Sequence, residues 1–580
     1  MNRAIKVFFD RKDQGLIAAI TFIIFALGFS SCKEKKLPDE KVIVKAPEKM
    51  DDKVKELIKS FIEYSVSENG RMEDSTVLYQ LPILADLYKQ KTFAPQWSSS
   101  QKWLAQGDSL LSFIENAKLY GLFPGDYHSH QLAILKKIFA ADAFKDKETQ
   151  DAASWARADL MLSDALVSIF HDIKLGRLPN DSITLRKDSV LSEEFISSKF
   201  NAAASGLSLN VIMSTLEPKY KGYRELKAAV SIFLDSADFN PITPIVFPNK
   251  NRDELKAAVV KRLFETGYID SLNAQPDSMR LAGVLKKYQK NNRLTIDGKI
   301  GSQTIRMLNL SDAEKFDRIA ITMDRYKMLS DSFPEKYIWV NIPSYSLKLM
   351  NRDTLILNSK VVVGKPITRT PVLTSAVSEI ITYPQWTIPE SIVEKEIIPG
   401  MKKDTGYLRK KGYMILNYKN EEISPDSVNW AKYEKKIPYK VIQGSGDDNA
   451  LGVLKFNFPN KYSVYLHDTN QRYFFGQDIR ALSHGCVRVQ EWEKMAYYIM
   501  NNQVDSNVKK KKPNEITLDS MTHWLVIKEK HSIPLRKRIP VYIRYFTCEA
   551  NDGLITFFED IYEEDKKMIE LLFANKKNGE

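Results

Sequence analysis

The sequence predicts a multidomain α+β chain: a helical scaffold, a small all-α unit, and a β-rich domain that carries a capping insertion. Three observations predict it. From about Asp52 to Asp238 apolar residues recur at three- and four-residue steps, as at Leu81, Leu84, Leu87 and Tyr88, and at Leu162, Leu166, Ile169 and Phe170. That is the spacing of one helix face. From about Tyr337 the period drops to two, through Ile338, Val340 and Ile342, then Leu347 and Leu349, then Val361 to Val363, which is strand spacing. At 580 residues the chain also exceeds a single core, so about three or four domains are expected.

The first 32 residues carry Arg3, Lys6, Arg11 and Lys12, an apolar run from Leu16 to Phe29, and then Ser30-Ser31-Cys32. Basic charge followed by an apolar run too short for a membrane span reads as an export signal over 1–31. Small residues before Cys32 resemble a bacterial lipoprotein cleavage site, although Phe29 stands where leucine is usual. That resemblance implies a lipidated Cys32 that ties the chain to a membrane; an uncleaved signal anchor is the alternative. Both put the body of the protein in the cell envelope, facing the periplasm, and Lys33 after the cysteine favours the outer membrane.

Residues 32–51, rich in Lys, Glu, Pro and Asp, read as a tether. The helical domain follows over 52–245, with landmarks Phe93-Ala-Pro-Gln-Trp97 and Gly121-Leu-Phe-Pro-Gly-Asp-Tyr127-His128. His128, His130 and His171 lack a metal-ligand spacing and read as structural. Over 252–312 a compact helical unit pairs the amphipathic stretch of Leu281, Val284, Leu285 and Tyr288 with a second helix at Thr304, Leu308 and Asn309. Gly298 and Gly301 supply the turn between them. A linker helix is expected over 313–335 and the strand-rich domain over 336–548. Its lysine-rich insertion spans about 387–450, and Val541 to Tyr545 is expected to close its sheet. Residues 549–580 read as a charged, partly helical tail.

A formal net charge of +12 suits surroundings of anionic polymer and lipid headgroups. Nucleic acid is excluded as a partner because the excess is spread out, and the one dense run, Lys509 to Lys512, reads as a solvated loop. The chain has three cysteines. Without Cys32, only Cys486 and Cys548 remain, so a disulfide would consume both. A free thiol kept in an oxidising compartment points to reactivity as its purpose. Cys548 has no histidine near it in sequence and reads as structural.

Cys486 differs. It lies in Ser483-His484-Gly485-Cys486-Val487-Arg488, with His467 sixteen residues before Ser483. A cysteine becomes a strong nucleophile when an imidazole takes its proton. Tyr462, Val464 and Leu466 alternate with Ser463 and Tyr465, which predicts a strand that delivers His467 at its end. Gly485 permits a tight backbone, and the N–H groups of Gly485 and Cys486 are the expected oxyanion donors. Ser483 and His484 read as loop-shaping residues, with a second catalytic group as the alternative for His484. Too few ligands lie nearby for zinc, and no cofactor is called for.

The Ser-His-Gly-Cys-Val-Arg string after Tyr465-Leu-His467-Asp468-Thr469 resembles the signature of the L,D-transpeptidases with a YkuD-type catalytic domain. Val361-Val-Val-Gly-Lys-Pro with Thr370-Pro371, Pro384-Gln-Trp386-Thr-Ile-Pro389, and Asn449-Ala-Leu-Gly452 with Lys455-Phe456 are similar to that family's large, multidomain branch. Gln289…Asp297-Gly298-x-Ile300-Gly301-x-x-Thr304 resembles a small peptidoglycan-binding module; an inert spacer of the same fold is the alternative.

The resemblance implies 3→3 cross-linking of peptidoglycan stem peptides through a thioester on Cys486, with His467 as base. It also implies substrate-cleft positions at Trp386, Asn449 and Tyr465, and an insertion that caps the cleft. Asp468, or a backbone carbonyl, orients His467; Arg488 holds either the loop or a substrate carboxylate. The same residues serve an L,D-carboxypeptidase or an enzyme that attaches or releases wall proteins. A catalytically silent wall-binding lipoprotein is the reading from another class.

Overall fold

The structure, a computed structural model, describes residues 41–44, 46–73, 76–142, 151–179, 183, 190–270, 277–292, 294–330, 333–503 and 516–572. The export signal, Cys32, most of the tether and Lys509 to Lys512 lie outside the described residues. Among the described residues no helix is long and apolar enough to cross a membrane.

Two compact units emerge, residues 1–102 with 135–160, and residues 103–134 with 161–580. The division falls inside the stretch 52–245 that sequence periodicity reads as one helical domain, because periodicity reports helices and not which core each one joins. In the first unit the helices Met50–Ser67 and Leu81–Gln90 bury Val54, Ile58, Leu84 and Tyr88. The Phe93 to Trp97 landmark is held by one buried carboxylate. Asp159 accepts from the N–H groups of Gln96 and Trp97, both at 2.9 Å, and from the Tyr88 hydroxyl.

In the second unit, the helix Asp312–Lys327 carries Asp324, which accepts from Arg177 Nε and from Lys327 Nζ, each at 2.9 Å and out of solvent. The second landmark is likewise structural: Tyr127 donates to Asp172 (2.8 Å), and His128 pairs with buried Asp164 (2.7 Å). His171, which is exposed, bonds its neighbour Asp172.

The small helical unit is built from Arg252–Glu265, Ser278–Asn291 and Ser302–Leu308. Its motif is a knot around Gln289. That side chain donates to Asp297 Oδ1 (2.8 Å) and Thr304 Oγ1 (3.1 Å) and accepts from Gly298 N–H (2.8 Å). The spacing therefore records a fold requirement, equally satisfied by a binding module and by a spacer. Thr295 donates to Asp478 of the strand-rich domain (2.7 Å).

Among the described residues, that domain and the segment that follows it contain fifteen strands with the following bounds. They are β1 (Lys336–Asn341), β2 (Ser346–Asn351), β3 (Thr354–Gly364), β4 (Leu373–Thr382), β5 (Trp386–Thr387), β6 (Tyr413–Leu416), β7 (Glu422–Ile423) and β8 (Lys440–Gln443). Next come β9 (Leu454–Asn457), β10 (Leu466–His467), β11 (Ala481–Ser483), β12 (Val487–Val489), β13 (His531–Arg544), β14 (Cys548–Asn551) and β15 (Leu554–Phe557). The main sheet runs β11-β3-β12-β10-β9-β4-β13-β1-β2, and β2 also pairs with β3, so the sheet closes on itself. Its core includes Ile338, Val340, Leu349, Val377, Phe456 and Val541. The cap is a four-stranded sheet, β5-β8-β6-β7, with its own core of Ile392, Ile397, Ile398, Met401, Leu408 and Ile415.

Three expectations change here. Residues Tyr462 to Tyr465 are not strand; only Leu466–His467 pair, because Ser463 turns left-handed at φ +56°. The strand expected over Val541 to Tyr545 is the end of a longer one, β13, which stops at Arg544 and lies inside the sheet between β4 and β1. The tail is helical over Glu564–Leu572, but it also holds strand: β14 and β15 form a hairpin whose Cys548, Ala550 and Phe557 pack with Tyr223, Leu226 and Met323. Cys548 is fully buried, and burial pushes its thiol up to about 12.

Candidate active site

Register brings the site together. β9 and β10 pair Lys455 with His467, and β10 and β12 run parallel and pair His467 with Arg488. Because successive side chains alternate between sheet faces, these three share the face opposite the core residues Phe456, Leu466 and Val487. Tyr465 and Cys486, each two residues before a member of that row, join the same face. Tyr465 lies edge-on to His467 with ring centroids 5.6 Å apart. The half-buried thiol of Cys486 has the Ser463 carbonyl at 3.9 Å, and the backbone and hydroxyl of Tyr465 as further partners. No hydrogen bond joins thiol and imidazole in this resting arrangement. Catalytic hydrogen bonds often close only around substrate.

His467 is buried, and its Nδ1 donates to the Asp468 backbone carbonyl. A carbonyl cannot donate, so Nδ1 holds the proton and Nε2 keeps its lone pair. The carboxylate of Asp468 does not orient the ring. It turns away to accept from Val453 N–H (3.1 Å) and Arg472 (3.1 Å). Burial, then the charges of Arg488 and Lys455, lower the imidazole to about 3, opposed by the Asp468 and Leu451 carbonyls. Burial also raises the Cys486 thiol, opposed by Tyr465, Lys455 and Arg488. The pair thus rests neutral on both sides.

Residues 335–509 match the family model described as the L,D-transpeptidase catalytic domain, YkuD, and residues 82–230 match the one described as the scaffold domain. The chain carries a YkuD-type L,D-transpeptidase domain. A Haemophilus influenzae protein (strain ATCC 51907 / DSM 11121 / KW20 / Rd), named "Putative L,D-transpeptidase", is 34% identical over 251 residues. That match covers 43% of this chain and 48% of the relative, so the chain spans about half the length of the curated relative it matches. A solved "L,D-transpeptidase from Mycobacterium smegmatis" aligns at 10% identity over 36% of this chain and 58% of its own, with a TM-score of 0.17, too low to bear on the fold.

Within the matched domain the loop from Ser483 to Cys486 is clamped from below. Ser483 donates to the Cys486 carbonyl (2.7 Å) and accepts from Gly485 N–H (3.1 Å). The Gly485 N–H expected as an oxyanion donor is therefore spent inside the loop, and the Cys486 N–H remains as the candidate. Gly485 itself is left-handed at φ +122°. Its carbonyl accepts from Thr370 Oγ1 (2.8 Å), and the Ser483 carbonyl accepts from Thr368 Oγ1 (3.1 Å) and Lys365 N–H (3.0 Å). Tyr562, from the supposed tail, accepts from Thr370 N–H (3.0 Å) and donates to the Gly364 carbonyl (2.6 Å). Nothing in the sequence flagged Tyr562, because its partner lies almost two hundred residues away and no pattern links them.

The remaining expected positions divide. Arg488 donates through Nη1 to Thr469 (3.3 Å) and Gln471 (2.7 Å) over the Phe474 ring, which ties it to the segment after His467, while its buried Nε has no hydrogen-bond partner among the described residues. Asn449 is buried and does not face the cleft; it donates to the Gly444 carbonyl (2.7 Å) and accepts from Leu451 N–H (2.8 Å). His484 does not bond within its loop but reaches the cap residue Glu396. Trp386, at the base of the cap, packs on Tyr413 and stands beside the Tyr465 hydroxyl. Between cap and sheet lies a cleft of about 410 Å3, lined by Ile388, Val393, Tyr439, Ser463 and Tyr465 among others. Ser463 and Tyr465, which lie just ahead of β10, are the lining residues that touch the thiol. Lys455, read only as part of a motif, is the functional-face residue that sequence reasoning missed. Among the described residues no group of three or more His, Cys, Asp or Glu is arranged to hold a metal ion.

Proposed function

We propose that the protein is an L,D-transpeptidase that forms 3→3 peptidoglycan cross-links through a thioester on Cys486, anchored in the cell envelope by a lipid on Cys32. One observation carries the catalytic reading: parallel pairing of β10 with β12 sets His467 and Cys486 on one face, beside a capped cleft.

As a stem-peptide carbonyl approaches, the Cys486 sulfur attacks its carbon while the thiol proton passes to His467 Nε2. The Cys486 N–H meets the oxyanion. Collapse expels the D-alanine amine, which takes the proton from His467, and a thioester remains. The side-chain amine of a second stem attacks this thioester and gives its proton to His467. The departing sulfur then recovers that proton as the thiol. Thioester exchange needs no nucleotide, which suits an extracytoplasmic site.

The test is digestion of sacculi rich in tetrapeptide stems after incubation with purified protein. The parent yields 3→3 dimers, whereas Cys486→Ala and His467→Ala yield none. Trimmed monomers without dimers would assign a carboxypeptidase instead, and full activity in either variant would end the catalytic reading.

A further inference from the structure

Two cations flank the imidazole, and the reaction above uses neither. Arg488 is occupied by Thr469, Gln471 and Phe474. Lys455 is not so occupied: it forms no salt bridge with a carboxylate among the described residues. Glu379 on β4 acts on it from a distance, but that carboxylate is bonded to Asn457 (3.1 Å) and Ser532. The ammonium of Lys455 instead lies 3.9 Å from the centroid of the Tyr465 ring. Half-burying a lysine without an acid costs free energy that a ring face returns only in part.

Tyr465 explains the placement. Its hydroxyl is close enough to both the Trp386 indole and the Cys486 sulfur to be influenced by each. An indole N–H can only donate, so the phenol proton is directed at the sulfur. A cation on the face of that ring withdraws electron density and strengthens the donation. Negative charge on Cys486 and the ammonium of Lys455 favour one another. The imidazole stands in one row between Lys455 and Arg488. A proton held there faces two cations, which disfavours a lasting thiolate–imidazolium pair.

We infer that Lys455 is a positioning residue of the acyl-transfer site, balancing the negative charge on the Cys486 sulfur through the ring and hydroxyl of Tyr465, in the part an imidazolium would otherwise play. This rests on the reading of Cys486 as nucleophile. The charge it balances arises twice, when the thiol is deprotonated for attack and when sulfur leaves the thioester.

The test is the pH dependence of Cys486 alkylation by iodoacetamide in the full-length protein, read peptide by peptide with mass spectrometry. The groups facing the sulfur are Lys455, Tyr465, His467 and Arg488; Glu379 and Lys530 face Lys455, and His484 is engaged by Glu396. In Lys455→Met the midpoint rises by about one pH unit, an approximately tenfold loss of thiolate near neutrality, whereas Lys455→Arg stays within about 0.3 unit. Tyr465→Phe shifts the same way, and the double variant shifts no further than the larger single one. Lys455→Gln reads the same shift if Lys455→Met does not fold. An unchanged profile in the neutral variants, whatever their melting temperature, overturns the inference, and so do additive shifts. Because alkylation reads the thiol and not cross-linking, failure here leaves the transpeptidase reading standing. A parent that forms no cross-links likewise leaves this measurement intact.

Discussion

His467 is held where a proton is hard to keep, and that has a measurable consequence for stability. Its folded-state value of about 3 lies below the ordinary 6.5 of imidazole, through burial first and the charges of Arg488 and Lys455 next. Between those values the unfolded chain binds the extra proton. Stability therefore falls as pH drops through about 6.5, approaching about 1.4 kcal/mol per pH unit, and levels off below about 3. His467→Gln removes this contribution, so melting temperatures of parent and variant should diverge with acidification, the parent falling more steeply. Parallel curves would mean that the ring is solvated. A second prediction concerns Gly452. It is left-handed at φ +62°, and a Cβ there would sit 2.3 Å from Asp468 Oδ2. Gly452→Ala should cost upward of about 1 kcal/mol. It should also slow Cys486 acylation, because Asp468 is the residue whose carbonyl holds the imidazole. A variant melting and reacting like the parent would refute this.

At the scale of elements, what was legible was what repeats locally. Period-two spacing found β1 to β3, and the Gln289 to Thr304 motif found a turn now seen to be knotted by one amide. Gln289→Leu would leave the Gly298 N–H and the Asp297 and Thr304 side chains without that partner. We expect about 2 kcal/mol of destabilisation, read as a lowered melting transition with Cys486 alkylation unchanged. What was illegible depends on distant pairing. Ser463 looked like strand because its neighbours alternate, yet its positive φ aims a carbonyl at the thiol. The N–H of Gly485 looked free because sequence does not reveal that Ser483 folds back under it. Tyr562 looked like tail. Its hydroxyl serves both Thr370 and Gly364, so Tyr562→Phe should loosen the loop that carries Cys486. The expected result is about a tenfold lower rate of Cys486 acylation for about 1 kcal/mol of stability. Unchanged acylation would show that the loop is rigid without it.

At the scale of the whole molecule, the second unit packs Arg177, from the segment after the scaffold match's long helix, against the linker helix Asp312–Lys327 that leads into the strand-rich domain, and that tie is ionic. Asp324 sits between Arg177 and Lys327 with all three shielded from water. Burial alone would raise this carboxyl, and the two cations hold it below the ordinary carboxylate range. Taking three charges out of water is expensive, and the attraction among them returns that cost only while the set is complete. Asp324→Asn leaves two cations with no negative charge between them, and should destabilise by about 3–5 kcal/mol. Replacing the whole set, Arg177→Met with Asp324→Leu and Lys327→Met, should recover most of that loss, since apolar side chains of similar volume need no partner. Urea midpoints of the parent, single and triple variants decide the matter. A single variant as stable as the parent would show that water reaches the cluster. A triple variant no better than the single one would show that Arg177, which also donates to the Gly121 carbonyl (2.7 Å), is needed for its hydrogen bonds and not for its charge.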